Sequence, residues 1–227
     1  MTGLVNGDQV LESAAEGNDP MSARTRIVLP TDEKSPAVPT DYVWRLSVDQ
    51  YHTMIRTGIL TEDDPVELLE GWLVVKMPRN PPQRAAVRLI HRALERMGPD
   101  NWYVDTQAPI TTADSEPEPD VVVVRGKTRH YLNRHSGPQD LALIVEVADI
   151  TLQRDRLIKK CLYASAGIPF YWIANLAERT FEVHTDPSGP AEQPDYHQRR
   201  DYGPMDEISL VIEGIEIGRI TVRELLP

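Results

Sequence analysis

The chain has 227 residues, of which 41% are hydrophobic and 26% charged, a composition that is ordinary for a globular protein. Lys and Arg number 24 against 35 Asp and Glu, and the formal net charge of −11 argues against indiscriminate coating of nucleic acid while leaving room for a local basic groove. One cysteine excludes an internal disulfide and a cysteine-cluster metal site, and without a long apolar run or a secretion signal we expect a cytoplasmic protein with no membrane partner.

The first part of the chain differs in composition from the rest. Residues 1–40 are rich in glycine, proline and acidic residues and contain no aromatic side chain. Such a segment cannot bury enough apolar surface to offset the entropy lost on ordering it. The sequence therefore predicts a flexible N-terminal tail over 1–40 and a single domain over 41–227 that ends in a C-terminal strand extension.

The first predicted elements of the domain are two helices separated by a strand pair. Ser47 is a plausible N-cap with Gln50 at the capping-box position, and Gly58 is typical of a helix C-terminus. Two short strands are predicted within 66–77. The clearest helix covers 83–97, where apolar residues recur at i, i+3 and i+4. Arginines recur every four residues along another face of this helix: Arg84, Arg88, Arg92 and Arg96.

The remaining elements predict a sheet. Residues 121–124 are four valines, and 141–147 are apolar apart from one glutamate, so both predict strands buried on two faces. A helix is predicted over 151–166. Further strands are predicted at 102–104, 108–110, 170–174, 179–184, 208–212 and 215–220, with a polar loop over 185–207. This order indicates a mixed α/β sheet covered by helices.

Three carboxylates stand in strand contexts from which burial should exclude them. Asp120 opens the valine strand, Glu146 interrupts an apolar strand, and Glu67 is flanked by apolar residues. A buried carboxylate shifts its pKa, pairs with a base or binds a cation. Acids that meet at neighbouring strand ends repel each other, and a divalent cation relieves that repulsion. Oxygen ligands of this kind suit Mg²⁺, or Mn²⁺ in its place.

The helix after Glu146 offers a base. Asp155, Lys159 and Tyr163 are spaced at i, i+4 and i+8 and share a face, so Lys159 could reach back to the carboxylates. A lysine beside a metal and a scissile phosphate can position the attacking water and stabilise developing charge. Purely structural roles are the alternatives: Lys159 could form a salt bridge with Asp155, and Asp120 could merely begin a strand.

Several segments in a fixed order carry a resemblance to a known family. They are residues 66–74, 118–126, 144–149, 155–159 and 163–173. Together they resemble the Uma-two family of restriction-endonuclease-like proteins of the PD-(D/E)XK class, over about 47–184. The resemblance implies a restriction-endonuclease-like α/β fold with a central mixed β-sheet flanked by helices.

The resemblance also implies roles for particular residues. The family's acidic pair falls on Asp120 and Glu146, and its earlier glutamate on Glu67. The usual position of the lysine, two residues after the glutamate, is Ala148, so the resemblance assigns the lysine to Lys159 on the following helix.

Three glutamine and tyrosine positions complete the expected site. Gln107 matches a recurrent family position that lines the site, and Tyr163 shares the face of Lys159. Gln83 stands where many family members have a histidine, a departure that bears on substrate binding.

Two basic stretches are candidates for contacts with DNA phosphates. One is the stripe that includes Arg84 and Arg88, and the other is the connection over 125–134 that begins with Arg125. Such contacts position a duplex without reading its sequence. For the stripe, a solvated helix face is the alternative. Five histidines show no metal-ligand spacing and receive no role: His91, His130, His135, His184 and His197.

The leading hypothesis is a Mg²⁺-dependent DNA endonuclease in which Asp120 and Glu146 hold the metal. Glu67 would support the metal and Lys159 would assist the attacking water. A non-catalytic binding or regulatory protein on a nuclease scaffold is the alternative, because a fold does not determine a function. A nuclease acting on RNA or on a displaced single strand is a third. The expected partners are DNA and a second copy of the chain, since cutting both strands of a duplex needs two active sites.

Overall fold

The structure is a computed structural model that describes residues 43–61, 63–98, 100–149 and 151–227. The predicted tail over 1–40 lies outside the described residues. A six-stranded mixed sheet carries helices on both faces, which confirms the predicted fold class. In the described part of the chain, no helix is long and apolar enough to span a bilayer.

The elements follow the chain in this order. The helices are α1 (Val48–Arg56), α2 (Pro81–Met97), α3 (Leu152–Arg154), α4 (Lys160–Ser165) and α5 (Val222–Leu225). The strands are β1 (Val66–Leu69), β2 (Trp72–Val75), β3 (Trp102–Asp105), β4 (Val121–Arg125), β5 (Leu141–Ala148), β6 (Phe170–Asn175), β7 (Thr180–Pro187), β8 (Tyr196–Tyr202), β9 (Glu207–Ile212) and β10 (Ile215–Thr221). A π-helical turn over Asp155–Lys159 joins α3 to α4.

Side-chain caps determine where the two longest helices begin. The Ser47 hydroxyl accepts a hydrogen bond from the backbone of Gln50, and the Gln50 side chain accepts one from the backbone of Ser47, as the sequence predicts. Asn80 and Gln83 form the same reciprocal pair at α2. This helix starts earlier than predicted because Pro81 fits the first position, where a backbone N–H has no helical partner.

The central sheet has the strand order β3-β4-β5-β6-β7-β8. Only β5 and β6 pair in parallel, and the other neighbours are antiparallel. A parallel pair needs a crossover connection, which the helical stretch over 152–165 provides. Strands β4 and β5 lie inside the sheet and are almost entirely buried, as their apolar runs predict.

An apolar layer packs against each face of the sheet. On one face, Ile90 of α2 belongs to a cluster with the odd-numbered valines of β4 and with α5 and the β9–β10 hairpin. On the other face, Leu162 and Tyr163 of α4 pack with Ile144 and Ile173. The helical stretch over 152–165 therefore lies on the same face of β5 as Glu146, because side chains alternate along a strand.

Two predicted segments differ from the structure. The predicted strand at 108–110 forms only one isolated bridge, between Ile110 and Ser136. The predicted loop over 185–207 is wrong, because it contains the end of β7 and all of β8. Strand β8 lies at the edge of the sheet and is mostly exposed, so no alternation of apolar residues marks it in the sequence.

Candidate active site

The four residues predicted to form a catalytic centre lie together beside the central strands. Glu67 comes from β1, Asp120 directly precedes β4, Glu146 is in β5, and Lys159 ends the π-helical turn. All four are buried, with exposed fractions between 1% and 5%. Ionisable groups this deeply buried require partners, and the partners define the site.

The backbone of β5 holds the side chain of Asp120. Its Oδ2 atom accepts a hydrogen bond of 2.7 Å from the backbone N–H of Val147, next to Glu146 in the chain. Its other oxygen, Oδ1, lies 2.5 Å from Nε of Arg79. No pattern in the sequence indicates this ion pair, because Arg79 stands alone before a proline break and has no periodic neighbour.

Lys159 connects two of the carboxylates. Its Nζ atom donates a hydrogen bond of 2.8 Å to Oε1 of Glu146 and lies 3.8 Å from Oε2 of Glu67. The hydroxyl of Tyr163 donates to the same Glu146 oxygen at 2.8 Å. Asp155, the alternative partner of the lysine, accepts a hydrogen bond from Thr151 instead.

The π-helical turn explains how three spaced residues face the same site. In a regular α-helix, residues eight positions apart differ by about 80° in direction. A π-helical turn holds an extra residue, so it winds less per residue and offsets this rotation. As a result Asp155, Lys159 and Tyr163 are all buried on the side of the helical stretch that faces β5.

Burial and charge act in opposite directions on the two central groups. Burial raises the pKa of Glu146 to about 8, with Lys159 opposing the shift and Asp120 adding to it. Burial alone lowers the pKa of Lys159, but the charges of Glu146, Glu67 and Asp155 outweigh burial and raise it above its ordinary value. Lys159 is therefore a protonated ammonium group, and Glu146 retains its proton more tightly than an exposed glutamate.

One carboxylate oxygen of Glu67 is a candidate ligand for a cation. Its Oε2 atom accepts a hydrogen bond of 3.1 Å from the backbone of Glu118, whereas its Oε1 atom is buried and has no hydrogen-bond partner among the described residues. An unsatisfied buried carboxylate oxygen is costly. The donor set of Glu67, Asp120 and Glu146 consists of oxygens, which fits a hard divalent cation such as Mg²⁺ or Mn²⁺.

A cleft of about 680 Å³ opens over this cluster. Besides Lys159, six basic residues line it: Lys76, Arg79, Arg84, Arg88, Arg92 and Arg154. Three members of the predicted arginine stripe on α2 therefore share a cleft with the carboxylates, and these three form no ion pair within the described ranges. The cleft thus has an acidic floor and a basic wall.

The two predicted glutamine positions both lie at the cleft. Gln107 is exposed there, with a positive φ of 57° and a backbone N–H that donates to the carbonyl of Pro119. Gln83 is buried and caps α2, and its Nε2 atom donates to the carbonyl of Val147 at 3.3 Å. Gln83 therefore joins the start of α2 to the end of β5.

Arg125 lies apart from this cleft and does not line it. Its guanidinium pairs with Glu213 at 2.6 Å and lies over the ring of Trp102, 4.6 Å from the ring centroid. The side chain is thus engaged on another part of the surface.

Comparison with known proteins identifies a family and a similar fold. The model of the Uma2 family, described as "Putative restriction endonuclease", matches residues 48–221. The fold is similar to the crystal structure of a "putative nuclease belonging to DUF820" from Anabaena variabilis, with a TM-score of 0.58 and 13% sequence identity over 79% of this chain and 97% of that chain. A search of curated proteins found no match. The family model covers most of this chain. The chain therefore belongs to the Uma2 family of restriction-endonuclease-like proteins, as the resemblance predicts.

Proposed function

We propose that the protein is a metal-dependent endonuclease that hydrolyses phosphodiester bonds of DNA. The observation that carries this function is the convergence of Glu67, Asp120, Glu146 and Lys159 under a cleft with a basic wall. Membership of the Uma2 family supports the same class of reaction. Nuclease chemistry needs negative charge to hold a metal and positive charge to hold a phosphate, and this cleft has both.

Three carboxylates would hold the metal ion. Asp120 and Glu146 would be its ligands, and Glu67 would support it through its Oε1 atom, for which the described residues provide no hydrogen-bond donor. A bound Mg²⁺ or Mn²⁺ supplies Lewis-acid stabilisation of the phosphate and lowers the pKa of a bound water. Arg79, which pairs with Asp120 in the free protein, would be released to contact a phosphate oxygen.

Lys159 and Tyr163 would act from the protein side. The ammonium group of Lys159 would orient the attacking water and stabilise the negative charge that develops on the phosphate. Its raised pKa keeps it charged at neutral pH. The Tyr163 hydroxyl fixes the orientation of Glu146 by its hydrogen bond to Oε1, and Gln107 lines the site where substrate enters.

The arginines of α2 would hold the DNA backbone. Arg84, Arg88 and Arg92 are exposed, line the cleft and follow one another at intervals of about 6 Å along the helix axis. Contacts of this kind contribute affinity without sequence readout. Arg125 is left out of the proposed contact surface, because Glu213 and Trp102 already engage it.

A plasmid assay tests the activity. The wild-type protein should cleave supercoiled DNA with Mg²⁺ or Mn²⁺ and be inactive with a chelator, and Asp120→Asn should be inactive with either ion. Asp140→Asn is a matched control, because Asp140 is also buried beside the central sheet but does not line the cleft. Equal activity of wild type and Asp120→Asn would refute the assignment, and so would equal inactivity.

Calorimetry separates the nuclease from the non-catalytic alternative. A nuclease should bind Mg²⁺ in a manner that Asp120→Asn abolishes, whereas a regulatory protein on this scaffold should show no such dependence. Parallel assays on single-stranded DNA and RNA identify the substrate class.

DNA binding and assembly complete the test. Arg88→Ala should weaken binding to a DNA duplex and reduce the salt dependence of the binding constant by about one unit, whereas Arg96→Ala, on the same helix but outside the cleft lining, should not. We also expect a homodimer by light scattering, because linearisation of a plasmid in one binding event needs two centres.

A further inference from the structure

A second group of metal-binding side chains lies outside the cleft that contains Asp120. His52 is on α1, Glu116 lies in the segment before β4, and His135 precedes β5; their ligand atoms lie within 4.8 Å of one another. Nε2 of His52 is 2.6 Å from Oε2 of Glu116, and Nε2 of His135 is 3.8 Å from Oε1 of the same carboxylate. We propose that these three side chains bind a zinc ion, independently of the nuclease function proposed above.

The ligand chemistry selects the ion. Two imidazole nitrogens and one carboxylate oxygen form a donor set that zinc uses with three protein ligands and one open position. Mg²⁺ prefers an all-oxygen set and retains its waters, so it competes poorly for imidazole. The group formed by His52, Glu116 and His135 therefore differs in metal preference from the carboxylates of the cleft.

The distances are compatible with a tetrahedral ion. Bonds of zinc to nitrogen and oxygen place neighbouring ligand atoms about 3.4 Å apart. Nε2 of His52 lies 2.6 Å from Oε2 of Glu116 and Nε2 of His135 lies 3.8 Å from its Oε1, and one ligand atom from each residue lies within 4.8 Å of the others, so small side-chain shifts would give this spacing. The side chains of His52 and His135 are 30% and 46% exposed and have room to adjust, whereas Glu116 is 4% exposed and is held in place.

Neighbouring hydrogen bonds orient the fixed ligand. The hydroxyl of Thr111 donates to Oε2 of Glu116 at 2.8 Å, and the backbone N–H of Glu116 donates to the carbonyl of Leu68. The backbone N–H of Thr111 donates to the carbonyl of Ser136, which directly follows His135. Hydrogen bonds of this kind to a metal ligand are a usual part of a zinc site.

A plain hydrogen bond between His52 and Glu116 would also explain the shortest contact. That explanation gives no role to His135, whose ring lies 6.3 Å from the ring of His52 and close to the same carboxylate. The group also borders a groove of about 700 Å³, through which water can reach a fourth coordination position. Removal of His135 therefore discriminates between a hydrogen bond and a metal site.

Cobalt titration is the direct test. The full-length, tag-free, metal-stripped protein is titrated with Co²⁺, whose visible absorption reports tetrahedral coordination, and Zn²⁺ is then added as a competitor. We expect one ion per chain, displaced by Zn²⁺ but not by a large excess of Mg²⁺. His135→Ala should weaken binding by more than about 100-fold, and Thr111→Val by about 10- to 100-fold. His197→Ala, an exposed histidine on β8, is the matched control and should leave binding unchanged.

Thermal unfolding gives a second readout. Zinc that binds only the folded chain and joins α1 to the segment before β5 should raise the melting temperature of wild type and His197→Ala, but not of His135→Ala. Absence of tetrahedral Co²⁺ absorption, unchanged affinity in His135→Ala, or displacement of Co²⁺ by Mg²⁺ would each overturn the zinc site. None of these outcomes depends on nuclease activity.

Discussion

Two buried glutamates on one face of the central sheet have opposite electrostatic environments. Glu146 on β5 and Glu182 on β7 both pair with Ile173 on β6, so they occupy one row of the sheet about 10 Å apart. Their exposed fractions are 4% and 1%. The same π-helical turn provides a cation to each, Lys159 to Glu146 and Arg156 to Glu182.

The difference lies in how fully each carboxylate is satisfied. Arg156 contacts both oxygens of Glu182, and Arg199 lies 3.4 Å away. Burial raises the pKa of Glu182, but the contacts with His184, Arg156 and Arg199 outweigh it and lower the pKa to about 2.

Glu146 has one lysine, which it shares with Glu67, and its pKa is raised to about 8. Burial of an acid therefore does not by itself indicate a catalytic site. What distinguishes the cleft is that its three carboxylates, Glu67, Asp120 and Glu146, have only Arg79 and Lys159 as paired cations among the described residues. A bound metal ion would supply the missing positive charge.

The largest expected effect is on catalysis. Glu146→Gln should lower the rate of DNA cleavage by about 100- to 1000-fold or more, because a neutral amide holds a metal ion poorly. Glu182→Gln should cleave like the wild type at a temperature where it is folded. Rates are measured on supercoiled plasmid with saturating Mg²⁺. Similar losses in the two variants would remove the distinction between the two glutamates.

The free energy of unfolding should fall more in Glu182→Gln than in Glu146→Gln, the reverse of the order expected for catalysis. Glu182→Gln removes charge-assisted hydrogen bonds and should lower the free energy of unfolding by about 2–3 kcal/mol. Glu146→Gln should change it by less than about 1 kcal/mol without metal, because Glu146 already favours its neutral form. Urea denaturation with a chelator present measures both values. A larger loss for Glu146→Gln would mean that this residue is mainly structural.

Acid should affect stability through Glu182. Its pKa lies below the ordinary value of 4.5 in the folded protein, so the unfolded chain takes up a proton first as the pH falls. Its contribution is complete above pH 4.5 and is lost towards pH 2, by about 1–2 kcal/mol after allowing for solvent around the arginines. The free energy of unfolding, measured by denaturation at several pH values in this range, should depend less on pH in Glu182→Gln than in the wild type. An equal pH dependence in the two proteins would contradict the assignment.

The smallest effect is expected at Tyr163. Tyr163→Phe removes one hydrogen bond to Glu146 and should cost about 1 kcal/mol of stability and about tenfold in Mg²⁺ affinity. Tyr171→Phe is a matched control, since its hydroxyl donates to the backbone of Asp155 instead. Calorimetry should show weaker Mg²⁺ binding only in Tyr163→Phe. Equal affinities in the two variants would mean that Tyr163 does not orient a ligand.

Much of the fold could be predicted because its centre is apolar and regular. The valines of β4, the long run of β5 and the periodicity of α2 each reflect burial, and burial selects residue type. Strand β8 cannot be predicted in this way, because an exposed edge strand is held by backbone hydrogen bonds, which leave no pattern in the side chains.

The residues of the candidate site also fall into those that the sequence predicts and those that only the fold brings together. Asp120 and Glu146 could be named because charge at the start of an apolar strand or within one is unusual, and Lys159 could be named from its helical spacing and from the family resemblance. Arg79 could not be predicted, because nothing in its sequence context marks it and only the fold places it beside Asp120. The proposed zinc ligands come from three separate parts of the chain, and His52 and Glu116 are 64 residues apart, so no local spacing relates them.

The π-helical turn makes the chain unusually sensitive to a change of length at one place. Deleting a single codon between Arg156 and Lys159 would let the helix wind regularly and keep the orientation of the residues on either side, but it would shorten the spacing of these two cations from three residues to two. The cations for Glu146 and Glu182 could then no longer both reach their partners. A chain shortened there would keep a helix of ordinary appearance, yet its two glutamates would lose the arrangement that separates catalysis from structural support.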